Sequence, residues 1–170
     1  MTEESKKHVI SILVDNEAGA LARIVGLFSG RGYNIESLNV APVNQEKTLS
    51  RVNITTYGTS ATVDLICKLL NRIVPVHKAA EISKQDGYIE RELALLKIIG
   101  DEERKAKAMV IGDKYRTNVI DISESSIVFE IIGNSKTVDE IINEFYGMGI
   151  DSVSRTGVAA GFRGNKKLAN

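Results

Sequence analysis

The sequence has one cysteine, Cys67, no excess charge of either sign and no long apolar run. A single cysteine excludes an internal disulfide framework and a cysteine-rich metal site. The 22 acidic and 22 basic residues balance, so we expect no general attraction to nucleic acid or to an acidic membrane. No apolar segment is long enough to span a bilayer, and the charged start MTEESKKH precedes no apolar signal region. We therefore expect a cytoplasmic protein.

Catalytic and metal-binding patterns are also missing. The two histidines, His8 and His77, are far apart and lack the spacing of paired metal ligands. No Ser-His-Asp or Cys-His set indicates nucleophilic catalysis. Gly30 and Gly32 do not form a dinucleotide fingerprint, because the third glycine is missing and the pair ends a helical pattern. These residue types favour a binding protein over an enzyme.

The sequence does contain the same order of elements twice. In the first half, the patterns predict strands near 8–14, 34–43, 48–57 and 75–82 and helices near 19–30 and 61–73. The first helix has one apolar face at helical spacing, formed by Leu21, Ile24, Val25 and Phe28. The order βαββαβ is typical of a ferredoxin-like unit.

A polar segment with a glycine, SKQDGY at 83–88, precedes the second set of elements. That set is a strand over 90–99, a helix over about 102–113 capped by Asp101, strands over 118–122 and 127–132, a helix with a capping box at Thr137 and Glu140, and a strand from about 150. We therefore predict an α+β protein with two ferredoxin-like βαββαβ domains. The predicted limits are 1–83 and 89–170, with a linker at 84–88.

The most distinctive segment runs from Asn16 to Pro42, NEAGALARIVGLFSGRGYNIESLNVAP. It follows an apolar strand-like run and has the pattern of a helix-opening turn, a short amphipathic helix, a glycine stop and a second strand. The free N–H groups at a helix N-terminus suit a carboxylate. Gly19 lets the backbone approach a ligand closely, because glycine has no Cβ. The segment favours binding of a small anion.

This segment, with Leu49-Ser50-Arg51 downstream, resembles the start of the small, regulatory subunits of acetolactate synthase (acetohydroxyacid synthase). Their N-terminal module belongs to the ACT-domain group of amino-acid sensors. The resemblance implies a homodimer through the ACT domains that activates a large catalytic subunit and confers feedback inhibition by valine. It also implies that this chain binds no cofactor, since thiamine diphosphate, Mg and FAD belong to the catalytic subunit.

The resemblance further implies a site for valine. In the family, the turn after the first strand holds the carboxylate and amine of valine, and Asn16 and Gly19 match the relevant positions. The N–H groups of Ala20 and Leu21 lie beside them at the positive end of the helix dipole. A second group would reach the ligand across the dimer interface, with Asn34 as an amide and Ile35 as an apolar wall. The expected effector-binding residues are Asn16, Gly19, Ala20, Leu21, Asn34 and Ile35.

Taken alone, these residues allow other interpretations. Asn16 equally suits a helix N-cap, and Asn34 suits a turn. Asp15 and Glu17 are either exposed charges or partners of an α-ammonium group. Two other functions also stay open: a free-standing ACT-domain sensor that serves another enzyme or a transporter, and a small enzyme on a ferredoxin-like scaffold.

Overall fold

The computed structural model describes residues 4–84 and 87–168. The chain divides into two compact units: the first unit is residues 1–89 with 158–170, and the second unit is residues 90–157. The predicted division at 83 and 89 placed all of the C-terminal segment in the second domain, whereas the structure packs its last part with the first unit. Residues 85–86 of the predicted linker 84–88 lie outside the described residues.

The first unit has the predicted βαββαβ order. Its elements are β1 (Lys6–Asp15), α1 (Ala20–Ser29), β2 (Ser37–Pro42), β3 (Leu49–Gly58), α2 (Ser60–Leu70) and β4 (Val76–Glu81). The strands form an antiparallel sheet in the order β2-β3-β1-β4. This order confirms the ferredoxin-like prediction.

The core of the first unit lies between one face of this sheet and the two helices. Alternate residues of β1, such as Ile10 and Ile12, point to this face and are fully buried. Ile24 and Phe28 of α1 pack against them, as the apolar helix face predicted. Leu21 and Val25, from the same predicted face, are each 37% exposed, so one side of the apolar face remains open to solvent.

The second unit repeats the order. Its elements are β5 (Tyr88–Ile99, whose first residues belong to the first unit), α3 (Glu102–Tyr115), β6 (Asn118–Ile122), β7 (Ser126–Gly133), α4 (Ser135–Glu144) and β8 (Ile150–Arg155). The strand order is β6-β7-β5-β8. A separate core includes the ring pair Phe129 and Phe145, whose centroids lie 5.0 Å apart. Both predicted ferredoxin-like units are therefore confirmed.

Side-chain caps define where the helices of the second unit begin. The carboxylate of Asp101 accepts the N–H of Arg104 at 2.9 Å, which confirms the predicted cap of α3. The predicted capping box at Thr137 and Glu140 is wrong. Asn134 caps α4 and accepts the N–H of Thr137 at 2.8 Å. Asn134 directly follows β7, so its short side chain starts the helix at Ser135 and places Thr137 inside the first turn.

The other face of the first sheet is covered by the C-terminal segment, which was not predicted. Val9 of β1 and Ile82 form a small buried cluster with Val158, and Phe162 packs against it. The segment contains a ninth strand, β9 (Ala159–Phe162), which pairs with β5. The first sheet is thus covered by helices on one face and by the end of the chain on the other.

Candidate functional site

The turn between β1 and α1 leaves the start of α1 open. Gly19 is the N-cap residue, with a left-handed φ of 85° and no side-chain capping bond. The carbonyl of Gly19 accepts the N–H of Arg23 at 3.0 Å, and Ala20 donates more weakly to the Glu17 carbonyl at 3.3 Å. Within the described residues, nothing accepts the N–H groups of Leu21 or Ala22. The first turn also contains no acidic residue, so its positive end is free to meet an anion.

Gly19 itself is exposed, and the space beside it is open. A Cβ built at this position meets no atom within 4 Å. Space alone therefore permits a side chain, but the positive φ makes most residues strained there. A ligand approaching the open N–H groups can come close to the backbone at this point.

Asn16 does not cap α1, so that interpretation is wrong. Its backbone N–H donates to the Thr48 carbonyl at 2.7 Å, and its Nδ2 donates to the Lys47 carbonyl at 2.7 Å. Gly19 takes the cap position instead, because the turn continues three residues beyond Asn16. Within residues 4–84 and 87–168, the Oδ1 of Asn16 has no hydrogen-bond partner. The amide is thus held in place by one atom and exposes the other beside the turn.

The acidic residues near the turn already have partners. Asp15 Oδ1 lies 2.6 Å from Nε2 of His77, and both side chains are about half exposed. Glu17 Oε1 lies 3.4 Å from a guanidinium nitrogen of Arg23, also at the surface. Exposed pairs of this kind are weak. They nevertheless favour the interpretation of both acids as surface charges.

Asn34 and Ile35 lie just before β2. Asn34 is exposed and its Nδ2 donates to Glu36 at 2.9 Å, while its carbonyl accepts the hydroxyl of Thr56 at 2.6 Å. In the described chain, Lys47 and Arg116 are the only residues other than glycine with a positive φ, so Asn34 does not adopt the left-handed turn conformation. Ile35 is half-buried and packs against the first core, which limits how much of it a ligand can contact.

Within one chain, the turn at Asn16 and the segment at Asn34 lie at opposite ends of the first sheet. Asn16 follows the last residue of β1, whereas Thr56, the partner of Asn34, pairs with His8 near the first residue. The strand rise puts His8 and Asn16 roughly 25 Å apart. The predicted site residues therefore form two sets: Asn16, Gly19, Ala20 and Leu21 in one, and Asn34 and Ile35 in the other.

Comparisons with known proteins agree on one family. Residues 10–78 match the family model of the AHAS small subunit-like ACT domain, and residues 91–164 match that of the small subunit of acetolactate synthase. The chain is 36% identical over 161 residues to a probable acetolactate synthase small subunit of Archaeoglobus fulgidus, covering 95% of this chain and 99% of that protein. The chain belongs to the acetolactate synthase small-subunit family.

Two further relatives of this family member support the same assignment. It is 37% identical over 161 residues to the acetolactate synthase isozyme 3 small subunit of Escherichia coli K12, covering 94% of this chain and 98% of that one. The crystal structure of the small subunit from Thermotoga maritima superposes with a TM-score of 0.84 at 31% identity, covering 95% of this chain and 99% of the other. The fold and the family thus agree over nearly the whole chain.

Sequence reasoning missed the loop that supports Asn16 in this small-subunit family member. Lys47, whose carbonyl holds the Asn16 amide, has a φ of 54°. Asn44 shapes the loop: its Oδ1 accepts the Leu49 N–H at 2.9 Å and its Nδ2 donates to Thr48 at 2.7 Å. Asn44 is a typical turn residue and was the available signal. The hydrogen bond between the Asn16 amide and the Lys47 carbonyl joins residues 31 positions apart, and no local sequence pattern predicts such a tertiary contact.

Neither a metal cluster nor a reactive thiol is found among the described residues. The described residues contain no group of three His, Cys, Asp or Glu side chains that could hold a metal ion. Burial, with a smaller effect from the nearby charge of Glu81, raises the pKa of the Cys67 thiol to about 11. A thiol with this pKa is a poor nucleophile near neutral pH. No helix in the described part of the chain is long and apolar enough to cross a membrane.

Proposed function

We propose that this chain activates the large catalytic subunit of acetolactate synthase and makes it sensitive to valine. The observation that carries the proposal is the open start of α1, where the N–H groups of Leu21 and Ala22 lack acceptors among the described residues, beside the exposed Asn16 amide. A valine carboxylate suits these donors, and the Oδ1 of Asn16 suits its ammonium group. Family membership supports the role as a regulatory subunit.

The proposed site is completed by a second copy of the chain. β2 is an edge strand, so its outer backbone groups are available for pairing. Antiparallel pairing of two β2 strands about a two-fold axis reverses the direction of the partner strand. Asn34 of the partner subunit then comes to the end of the sheet that carries Asn16. The half-exposed apolar residues Val40 on β2 and Leu21 and Val25 on α1 supply apolar area for this contact.

Regulation in this proposal is a population shift. Valine bridges two subunits and stabilises one arrangement of them, and it regulates only through its different affinity for the active and inhibited arrangements. Contacts to the charged ends dominate its affinity, while the apolar wall at Ile35 discriminates among side chains by only about 1–3 kcal/mol per methylene. Leucine and isoleucine are therefore expected to act as weaker effectors. Thiamine diphosphate, Mg and FAD stay on the catalytic subunit, and the complex works in the cytoplasm.

The test exploits the distance between the two sets of residues. Asn16→Ala and Asn34→Ala chains are each titrated calorimetrically with valine and are expected to lose binding. The two variants are then coexpressed with different tags and the mixed dimer is isolated. Each mixed dimer has one site with both substitutions and one site with neither, so binding returns at roughly half of the wild-type stoichiometry.

Two results would contradict the shared site. If both variants bind valine as the wild type does, these amides are not part of the site. If the single variants lose binding but the mixed dimer does not regain it, the two amides do not meet in one site across the dimer. The Glu103→Gln variant, an exposed change in the second unit, is the control for the titrations. Repeating them with the catalytic subunit, while measuring acetolactate formation, tests activation and inhibition directly.

A further inference from the structure

A cavity lies on the face of the first sheet that the C-terminal segment covers. Its volume is about 330 Å³, which is in the range of sites for small organic molecules. The sheet contributes Leu13 and Arg51, which are paired across β1 and β3. The C-terminal segment contributes Phe162, Lys166, Lys167 and Leu168. All of these residues belong to the first unit.

The polar side chains of the described residues that line this cavity are all basic. Arg51 and Lys167 make no ion pair with any described residue, and the Nζ of Lys166 lies 5.1 Å above the ring of Phe162. Among the described residues, no acidic side chain lines the cavity. The Nε of Arg51 is buried and has no hydrogen-bond partner in the described chain. A buried donor without an acceptor is costly, so an added acceptor that reaches the Arg51 Nε would gain a hydrogen bond there.

Unsatisfied polar atoms are concentrated on this face of the sheet. Six buried side-chain atoms in the described chain lack a hydrogen-bond partner, and four of them are on this face, in Ser11, Arg51, Asn53 and Thr55. The pair Ser11 and Asn53 lies two residues along the strands from the pair Leu13 and Arg51, on the same face of the sheet. The side chains of Ser11 and Asn53 are at least 95% buried. The face opposite the helices therefore combines the apolar cluster around Val9 with buried polar atoms that lack partners near Arg51.

We propose that this cavity binds a small multivalent oxyanion, as in the phosphate group of a metabolite. Three positive charges without an acidic neighbour match a polyvalent anion better than the single charge of a monocarboxylate. The guanidinium of Arg51 is a planar fork that suits phosphate geometry. Leu13, Phe162 and Leu168 provide an apolar wall for the organic part. The site is separate from the proposed valine residues, so this chain would carry two ligand sites in its first unit.

The test is calorimetric titration of the full-length chain with inorganic pyrophosphate at constant ionic strength. We expect saturable binding with one site per chain. Arg51→Gln should weaken binding at least tenfold, and Lys166→Gln with Lys167→Gln should do the same at positions that are exposed. Arg163→Gln is the matched control, because Arg163 is in the same segment but does not line the cavity. It should bind as the wild type does.

Several results would overturn the proposal. Absence of saturable binding to the wild type would do so, as would equal loss in Arg163→Gln, which indicates a diffuse charge effect. Acetate binding as tightly as pyrophosphate would reject the multivalent class. Valine titrations of the same variants separate this proposal from the previous one. Unchanged valine binding in Arg51→Gln with lost pyrophosphate binding is the expected pattern.

Discussion

The two units begin their first helices in different ways, although each helix follows the first strand of a βαββαβ unit. In the first unit, left-handed Gly19 precedes α1, no side chain caps the helix and the first turn has no acid. In the second unit, Asp101 caps α3, and Glu102 and Glu103 occupy the first turn. Lys105 is buried there and donates to the carbonyl of Ser123 at 2.7 Å.

This difference contrasts a capped helix start with one whose N–H donors remain open. In the second unit, Asp101 already accepts the Arg104 N–H, and Glu102 and Glu103 place negative charge at the positive end of the helix dipole, so an external anion gains little there. The first turn leaves the same donors open and loses the stability that a cap would give. If the proposed valine site forms, the shared fold carries it in the first unit, because that site depends on a few residues of one turn.

The largest expected effect comes from closing the first turn with a carboxylate. Gly19→Asp places a negative charge where the ligand carboxylate is expected, so valine affinity should fall by roughly a hundredfold or more. Activation of the catalytic subunit should remain. Gly147→Asp is the control, because Gly147 also has an exposed positive φ, of 89°, and open space beside it. Calorimetric titration of both variants with valine measures the affinity, and enzyme assays with the catalytic subunit measure activation. An equal loss in both would mean that a general effect of the added charge or a loss of overall stability, and not charge at the Gly19 turn, lowers valine affinity.

A medium effect is expected from removing the cap of the second turn. Asp101→Ala removes the acceptor of the Arg104 N–H and should lower the free energy of unfolding by about 1 kcal/mol, with valine affinity unchanged. Asn16→Ala should show the opposite pattern, with a stability change within about 0.5 kcal/mol and loss of valine binding. Urea denaturation followed by circular dichroism, together with valine titration, measures both. Weaker valine binding in Asp101→Ala would contradict the expectation that the cap of α3 affects only stability.

The smallest expected effect concerns the charge of Glu17. Its surface pair with Arg23 should contribute little, so Glu17→Gln should change valine affinity by no more than about twofold. A charge-assisted contact with the ammonium group would instead give a loss of roughly tenfold or more. Glu103→Gln, which breaks a comparable exposed pair with Lys107, corrects for general charge effects. The same calorimetric titration compares the two.

The repeated fold was predictable because its signals are local. Apolar spacing predicted α1 and its buried residues Ile24 and Phe28, and Asp101 marked the start of α3 correctly. The capping box at Thr137 was wrong because two local signals competed, and Asn134, nearer to the strand end, started the helix. Local patterns identify an element more securely than they identify its first residue.

The rest of the molecule depended on contacts between distant segments. Val158 packs in one buried cluster with Val9, about 150 positions earlier in the chain. The periodicity of a short segment cannot predict such a contact. The contact of Asn16 with the loop at Lys47 is likewise tertiary. The six proposed effector-binding residues stay a prediction, since a second chain is needed to bring Asn34 toward Asn16. Sequence reasoning identified candidate residues but not the geometry that joins them.

The packing of residues 158–168 with the first sheet makes the second unit an insertion within the first. The chain crosses between the units twice, once on each side of residues 90–157. A protein truncated after residue 89 would thus lack the C-terminal segment that packs on the first sheet, and Val9 and Ile82 would be exposed to water. Excising the second unit cleanly requires two cuts and a new peptide bond between the flanks. Any division of this protein into its two units has to preserve that discontinuous join.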